Sequence, residues 1–542
     1  MSYQGKSREE IIKQDVRDLH RMGYAQQLFR EMGGFSNFAI SFSIISILTG
    51  AILLYSYGLQ FAGPIINTYG WPLVSLMVLC VAASMAELAS AYPTAGGLYF
   101  WAHRLGGYKW AWVTAWLNMI GQITITAGID YAAAIYIAGA INRLFGTALP
   151  TSPGFGIVAI MVLIMIPQVL INIFGIKLTA RLNDFSVWWH IGGVVIIAAL
   201  LTFFGKHSQP LSFLFQGTIT VNPNDVAHSF FIGPKEIPSL MMKIPGMGSI
   251  YAGAGLAFAF VLGLLQAQWT YTGYDASAHV AEETVMARLN SAWGVFLSVL
   301  VSAIVGYIVL MVLTAHIPDI AATVDAANAP AVLYIVYENL STFLANIIAI
   351  IIAVAMWLCG LSSITSMSRM WFAFARDGGM PGHKLISQIH PTYRTPMWSI
   401  IITCILAVLL TMVAYLYSVV VAISTSALYL AYAIPTYLNV RNKRKKQGEY
   451  TTRETAPWNL GRWGPVINWI AIIWVIIITI LFSIPPNELA GWALLILLLF
   501  MLLYWQLSAK HHFTGPTSSD EAALRRIEHE LEEIAHHHEQ HS

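Results

Sequence analysis

The chain has 542 residues, 57% of them hydrophobic and only 10% charged, with a formal net charge of +2. A soluble globular chain carries about 25% charged residues, so this balance excludes a soluble fold and offers no basic surface for a nucleic-acid partner. Cys80, Cys359 and Cys404 all lie within apolar runs and suggest neither a disulfide framework nor a metal site.

Residues 1–35 are polar and charged, with Ile11, Ile12, Val16 and Leu19 at helical spacing. They read as a cytoplasmic tail rather than a cleavable signal peptide. Twelve apolar runs follow, at 36–62, 71–92, 109–141, 155–174, 184–205, 252–280, 291–315, 341–368, 396–416, 418–440, 464–484 and 488–508. Each approaches the ~20 residues that a membrane helix needs. The expectation is an all-α integral membrane protein of 12 transmembrane helices, with the lipid bilayer as its surroundings. An even number of spans puts both termini on one side. With the N-terminus cytoplasmic, only Arg143, Lys206, Lys235 and Lys243 of the 29 Lys and Arg fall outside, as the positive-inside rule requires.

The first span is interrupted at Leu48-Thr49-Gly50-Ala51, after Ser41, Ser43 and Ser46. Gly50 gives the backbone freedom there. If the helix stops near Leu48, the amides that open the next half-helix point into the gap and suit a carboxylate. The alternative is a gentle kink with the Thr49 hydroxyl bonded back to its own helix. In the third span, Gln122 and Asp130 either face a cavity or bond a neighbouring helix. The outside segment at about 206–250 holds Pro210, Pro223, Pro234, Pro238 and Pro245 and reads as irregular cover over an outer vestibule.

The sixth span breaks at Trp269-Thr270-Tyr271-Thr272-Gly273-Tyr274-Asp275. Backbone that leaves the helix at membrane depth survives only where it is buried in protein or lines a water-filled cavity. Freed carbonyls at Trp269–Thr272 would accept from an ammonium group, and Trp269 would close over an organic cation. Asp275 costs about 2.5–3.5 kcal/mol at the centre of a span, which makes it a functional candidate by default. Paired breaks, one in each half of a polytopic chain, point to a transport site. In the eighth span, Ser362, Ser363, Thr365 and Ser366 offer oxygen ligands for sodium or simply pack helices. The cluster Arg441-Asn442-Lys443-Arg444-Lys445-Lys446 reads as a topology anchor, with binding of anionic lipid as the lesser option. Residues 518–538 read as an amphipathic helix, with Leu524, Ile527, Leu531 and Ile534 on one face. His536, His537, His538 and His541 form a solvated tail or, less simply, a metal site.

Several of these segments resemble the amino acid/polyamine/organocation (APC) permeases. The end of span 2, Ala86-Glu87-Leu88-Ala89-Ser90-Ala91-Tyr92-Pro93-Thr94-Ala95-Gly96-Gly97-Leu98-Tyr99, looks like the family's Glu-Leu…Pro…Gly-Gly-x-Tyr segment. Residues 369–381, from Arg369 to Pro381, look like its second signature, and residues 34–50 are similar to the amino acid/choline (GABA permease-like) branch. The resemblance covers roughly residues 30–508. It implies a leucine-transporter-like fold, in which spans 1–5 and 6–10 form an inverted five-plus-five repeat with spans 1 and 6 broken and two further spans peripheral. The corresponding division is a tail at 1–35, repeats at 36–205 and 251–440 flanking the loop at 206–250, peripheral spans at 441–509 and a C-terminal tail at 510–542.

The residues expected about the substrate are Ser46, Leu48, Thr49, Gly50, Ala51, Gln122, Trp269, Thr270, Tyr271, Gly273 and Ser363, of which the resemblance places Leu48, Thr49, Gly50, Trp269 and Gly273 by position. Leu48 stands where the family has a glycine. Asp275 stands where an exchanger subgroup has a Glu linked to pH response. His190 falls where proton-coupled relatives carry a Lys in span 5. An imidazole, with a reference pKa of about 6.5, could gain and lose a coupling proton there, or be a hydrogen-bonded structural residue beside Trp188 and Trp189. The function expected is a secondary active transporter of the plasma membrane, importing an amino acid, related zwitterion or amine by alternating access. It needs no cofactor; its coupling ion is H+, with Na+ as the alternative. An amino acid/amine exchanger is the second transport reading, and a substrate-gated channel or nutrient sensor a remote third. Substrate identity and oligomeric state are open. No His-Glu-x-x-His or phosphate-loop pattern suggests an enzyme.

Overall fold

The computed structural model describes residues 6–516, apart from 152–153, 221–238, 248, 250–252, 254, 326–329 and 413–416. The amphipathic helix expected at 518–538, the His-rich tail and the centre of the 206–250 loop lie outside the described residues.

Helix α1 (Arg8–Arg21) opens on a capping box: Ser7 Oγ accepts from the Glu10 amide, and Glu10 accepts from the Ser7 amide at 2.8 Å. The first membrane element is split into α2 (Gly34–Ile45), α3 (Gly50–Leu53) and α4 (Tyr55–Ala62). Then follow α5 (Trp71–Ala91), the short α6 (Leu98–Gly106), α7 (Tyr108–Phe145), α8 (Phe155–Phe174) and α9 (Ile176–Phe204). The second broken element comprises α10 (Leu256–Gly263), α11 (Leu265–Thr270) and α12 (Ala276–His279). Beyond it lie α13 (Ala287–Ala315), the short α14 (Ile320–Val324) and α15 (Ala331–Asn339), and α16 (Thr342–Arg376). The chain continues through α17 (His383–Ile386), α18 (Met397–Thr411), α19 (Tyr417–Lys445), α20 (Gly464–Leu481) and α21 (Glu488–Leu507).

The fold is all-helical. Among the described residues the sole β feature is an isolated bridge between Met32 and Thr284. Among the described residues ten helical segments are long and apolar enough to cross a membrane, and Leu256–Thr270 and Met397–Thr411 are shorter apolar helices. Helices satisfy their own backbone polar groups, which the bilayer interior cannot do for them.

Burial sorts the helices. The apolar windows of Gly34–Leu53 and Tyr108–Phe145 are 83% buried, against 22% for the last segment. The first broken element and α7 therefore form the centre, while α20 and α21 form an outer layer. Ile496, Leu499, Leu502 and Leu503 of α21 point outward, as lipid-facing residues should. Helix α13 packs on α5 and α2, and α16 and α19 pack on α7. Small residues let these helices approach: a Cβ on Gly294 of α13 would meet Ser277 Oγ at 2.6 Å.

Candidate substrate site

The two interruptions touch, and each lies within a few residues of its expected place: the first spans Ser46–Thr49 rather than Leu48–Ala51, with Gly50 already helical, and the second begins at Tyr271, with Trp269 and Thr270 still helical. Helix α2 stops at Ser46, which takes a left-handed φ of 36°, unusual for a residue other than glycine. The Ser46 carbonyl accepts from the amides of Thr49 (2.7 Å) and Gly50 (3.0 Å), closing a turn before α3. The Ser46 hydroxyl is held by Thr49 Oγ1 at 2.6 Å and His190 Nε2 at 2.7 Å. Among the described residues, the Ile47 and Leu48 amides between them donate to no backbone carbonyl.

In the second interruption, α11 ends at Thr270 and Gly273 adopts φ 81°. The Thr272 hydroxyl donates to the Trp269 carbonyl at 2.6 Å, and the Gly273 amide donates to Tyr432 at 3.2 Å. The Tyr429 hydroxyl donates to the Tyr271 carbonyl. The breaks abut reciprocally: a Cβ on Gly50 would lie 2.8 Å from Thr270 Cα, and one on Gly273 would overlap Ile44.

Between them lies a small cavity of about 10 Å³, room for about one water molecule. Of the residues expected about a substrate, Thr49, Gly50, Trp269 and Thr270 line it. Thr272, at the end of the segment expected to free its carbonyls, lines it too, and so do Ile44, Ile45, Ile125, Ile129 and Cys359, which the sequence does not mark because apolar ones look like any other span residue. Trp269 is buried across one side, its indole N–H 3.3 Å from Ser424 Oγ.

The other expected residues support this centre from outside the lining. Leu48 reaches toward Gly193 of α9. The Ala51 carbonyl accepts from Gln266 at 3.4 Å. The Tyr271 hydroxyl pairs with Ser75 at 2.6 Å, and its ring packs on Trp71. Ser363 pairs with Thr126 of α7 at 2.7 Å. The four α16 hydroxyls are not gathered on one centre. Ser362 donates to Asn183, Thr365 to Asn172 at 2.7 Å, and Ser366 Oγ has no partner.

Gln122 turns to Asp275 instead. Asp275 Oδ2 accepts from Asn118 (2.9 Å), Gln122 (3.1 Å) and His279 Nε2 (3.0 Å), while Oδ1 accepts from Tyr432 (2.9 Å). His279 Nδ1 faces the Ala95 carbonyl at 3.1 Å. A carbonyl only accepts, so Nδ1 carries a hydrogen and one more proton sits between Nε2 and the carboxylate. Asn118 and His279 escaped the sequence reading, although His279 stands four residues from Asp275, on the same helix face. His190 Nδ1 donates to the Ser186 carbonyl at 2.8 Å. Its Nε2 therefore accepts from Ser46 when the ring is neutral and donates when it is protonated.

The end of the bundle that carries the N-terminal segment is sealed. Arg376 forms a two-pronged pair with Glu282 (3.1 and 3.1 Å), and Arg369 does the same with Glu283 (3.1 and 3.2 Å). Arg30 donates to the carbonyls of Ala281 and Thr284. Just beyond α16, Asp377 Oδ2 accepts from Tyr24 (2.7 Å) and Tyr99 (3.0 Å). Burial pushes the Asp377 carboxyl up to about 6, against the opposing pull of Arg376 and the two hydroxyls.

Residues 32–505 match the profile of the family described as "Amino acid permease". The chain belongs to that family. It is 34% identical over 536 residues to the amino-acid permease BAT1 of Arabidopsis thaliana, covering 92% of this chain and 96% of that protein. A BAT1 homolog of Oryza sativa subsp. japonica is also 34% identical, over 534 residues, covering 92% and 95%. The GABA-specific permease of Saccharomyces cerevisiae is 27% identical over 486 residues, covering 87% and 78%. This APC-family permease is thus a multi-pass membrane transporter rather than an enzyme, with an amino acid as its class of cargo.

Proposed function

We propose that the permease imports an amino acid or related zwitterion across the plasma membrane by alternating access, with protons as the coupling ion. The reading assumes twelve spans, ten in an inverted five-plus-five repeat and two peripheral, with both termini cytoplasmic. The ten long segments and two shorter apolar helices add up to that number, and the broken elements stand at the head of each half.

The observation that carries the reading is the reciprocal contact of the two breaks around one cavity. Helix starts with unpaired amides favour a carboxylate, and interrupted backbone beside Trp269 favours an ammonium group. Protons rather than sodium are favoured because the α16 hydroxyls hydrogen-bond to three different helices, while His190 sits on the turn of the first break. A proton on His190 would reverse its hydrogen bond to Ser46 and change the hold of α9 on that turn. The pair of Asp275 and His279 links the second break to Asn118 and Gln122 of α7 and to Tyr432 of α19. The sealed end would be the cytoplasmic gate, so the state described is closed to the inside.

Uptake into proteoliposomes tests the reading. Acidifying the outside should raise accumulation of a zwitterion such as GABA or L-alanine, and His190→Ala should lose that response. Uptake indifferent to pH and driven by a sodium gradient alone sinks the proton reading.

A further inference from the structure

Most buried carboxylates near the core of this molecule face a basic side chain. Glu87 pairs with Lys443, Glu282 with Arg376, Glu283 with Arg369, and Asp275 with His279. Asp130, in the middle of α7, is different. It is fully buried, and among the described residues no cation pairs with it. Its Oδ1 accepts a single hydrogen bond, from Gln168 Nε2 of α8 at 3.1 Å, and its Oδ2 has no partner.

The surroundings are built around this carboxyl. Gln168 is fixed by a second bond, to the Trp357 carbonyl at 2.9 Å. Gly360 of α16 leaves the necessary space: a Cβ there would overlap Asp130 Oδ1 and stand 2.5 Å from Gln168 Nε2. Among the described residues the titratable groups near Asp130 are the thiols of Cys359 on α16 and Cys404 on α18. Helix α8 offers Gln168 and Asn172, which do not titrate, and α19 presents Val420 and Val421 beside Gly128, two residues before Asp130. An ionised carboxylate with one neutral donor and no counter-charge in such a place is far costlier than the neutral acid. Among the described residues the carboxyl lacks the partners that an ionised group would need there.

Its position ties the carboxyl to the substrate. Ile129 precedes Asp130, and Cys359 precedes Gly360; both line the cavity between the breaks. We propose that Asp130 is a carrier site for the transported proton, placed behind the substrate cavity on the α7–α8–α16 scaffold. The proton is taken from outside water onto Oδ2 while the cavity is open outward. It stays through the closed state and returns to water when the cavity opens inward and wets the carboxyl. This inference rests on the proton-coupled reading above, and adds Asp130 to His190 as a second group on the path of the coupled proton.

The test uses the full chain in proteoliposomes with GABA and L-alanine as probes. In the wild type, one coupled proton and a pH step of one unit support about tenfold accumulation. Asp130→Asn keeps the shape and an oxygen for Gln168 but cannot release a proton. It should fall to simple equilibration under the same step while retaining counterflow, the exchange of labelled for unlabelled substrate that needs no net proton movement. Asp130→Asn that still accumulates like the wild type overturns the proposal. Equal loss of accumulation and counterflow also overturns it, because it marks a structural role, provided Asp130→Glu behaves the same way. Where Asp130→Asn does not reconstitute, Asp130→Glu should keep accumulation with a shifted pH midpoint, and an unshifted profile counts against the site. A wild type that fails to respond to the pH step defeats the underlying proton reading instead.

Discussion

Gly273→Ala is the most direct strain that can be placed on the paired breaks. Gly273 has φ 81°, a region that costs an L-residue about 1–2 kcal/mol. The added methyl would also overlap Ile44 of the first break, and overpacking of this kind costs about 1–3 kcal/mol. Together they disfavour the closed arrangement by about 2–5 kcal/mol, beyond a tenfold loss of its population. The two parts separate experimentally. In an Ile44→Ala background the overlap is relieved and the backbone strain remains, so about half of the loss should return as a positive coupling in a double-mutant cycle. Thermal unfolding of the detergent-purified protein reads the cycle, since Ile44 also lines the cavity and would perturb transport for other reasons. Gly273→Ala with wild-type unfolding and uptake would refute the abutment, and a loss unaffected by Ile44→Ala would refute its steric half.

Other outcomes follow from the same geometry. Glu282→Gln takes the paired carboxylate from Arg376, which is 13% exposed and keeps Asp377 and the Tyr24 ring beside it. The loss should fall below the cost of a fully buried stranded charge, about 3–5 kcal/mol, lowering thermal stability and speeding proteolysis of the 22–33 segment. Asp377 titrates near 6 in the sealed end and about 3.9 in water, so the closed state binds its proton more tightly. Acidifying that face from neutral to below 6 should therefore strengthen closure and slow substrate efflux, and Asp377→Asn should abolish the dependence; efflux that quickens with acid runs against this sign. Trp269→Ala should weaken the thermal shift produced by a zwitterion, while Trp269→Phe keeps most of it, because the ring closes the cavity rather than donating a needed hydrogen bond.

The breaks were legible in the sequence because polar and glycine residues inside a membrane run have few explanations. The turn at Ser46–Thr49 lies two residues before the expected Leu48–Ala51, and the unwound Tyr271–Asp275 begins two residues after the expected Trp269, because composition marks a break without fixing which residue turns. The cavity wall was not legible. Ile44, Ile45, Ile125 and Ile129 sit in spans where nearly every residue is apolar, so periodicity carries no information about which face meets the substrate. Cys359 was noticed only as a cysteine outside any disulfide pattern. Gln122 was read correctly as polar and interior, but a one-dimensional reading could not tell a cavity from the carboxylate of Asp275. The first turn pivots on Ser46 rather than on a glycine, and its left-handed residue is held through the side chain by His190 and Thr49.

The central claim is that amino acid and proton move together through one site between the breaks. Proteoliposomes loaded with a pH-sensitive dye, with membrane potential clamped, test it in a single trace. Adding GABA or L-alanine outside should acidify the lumen in step with substrate entry, and the signal should disappear in Trp269→Ala. Substrate entry with no change in lumenal pH would contradict the account.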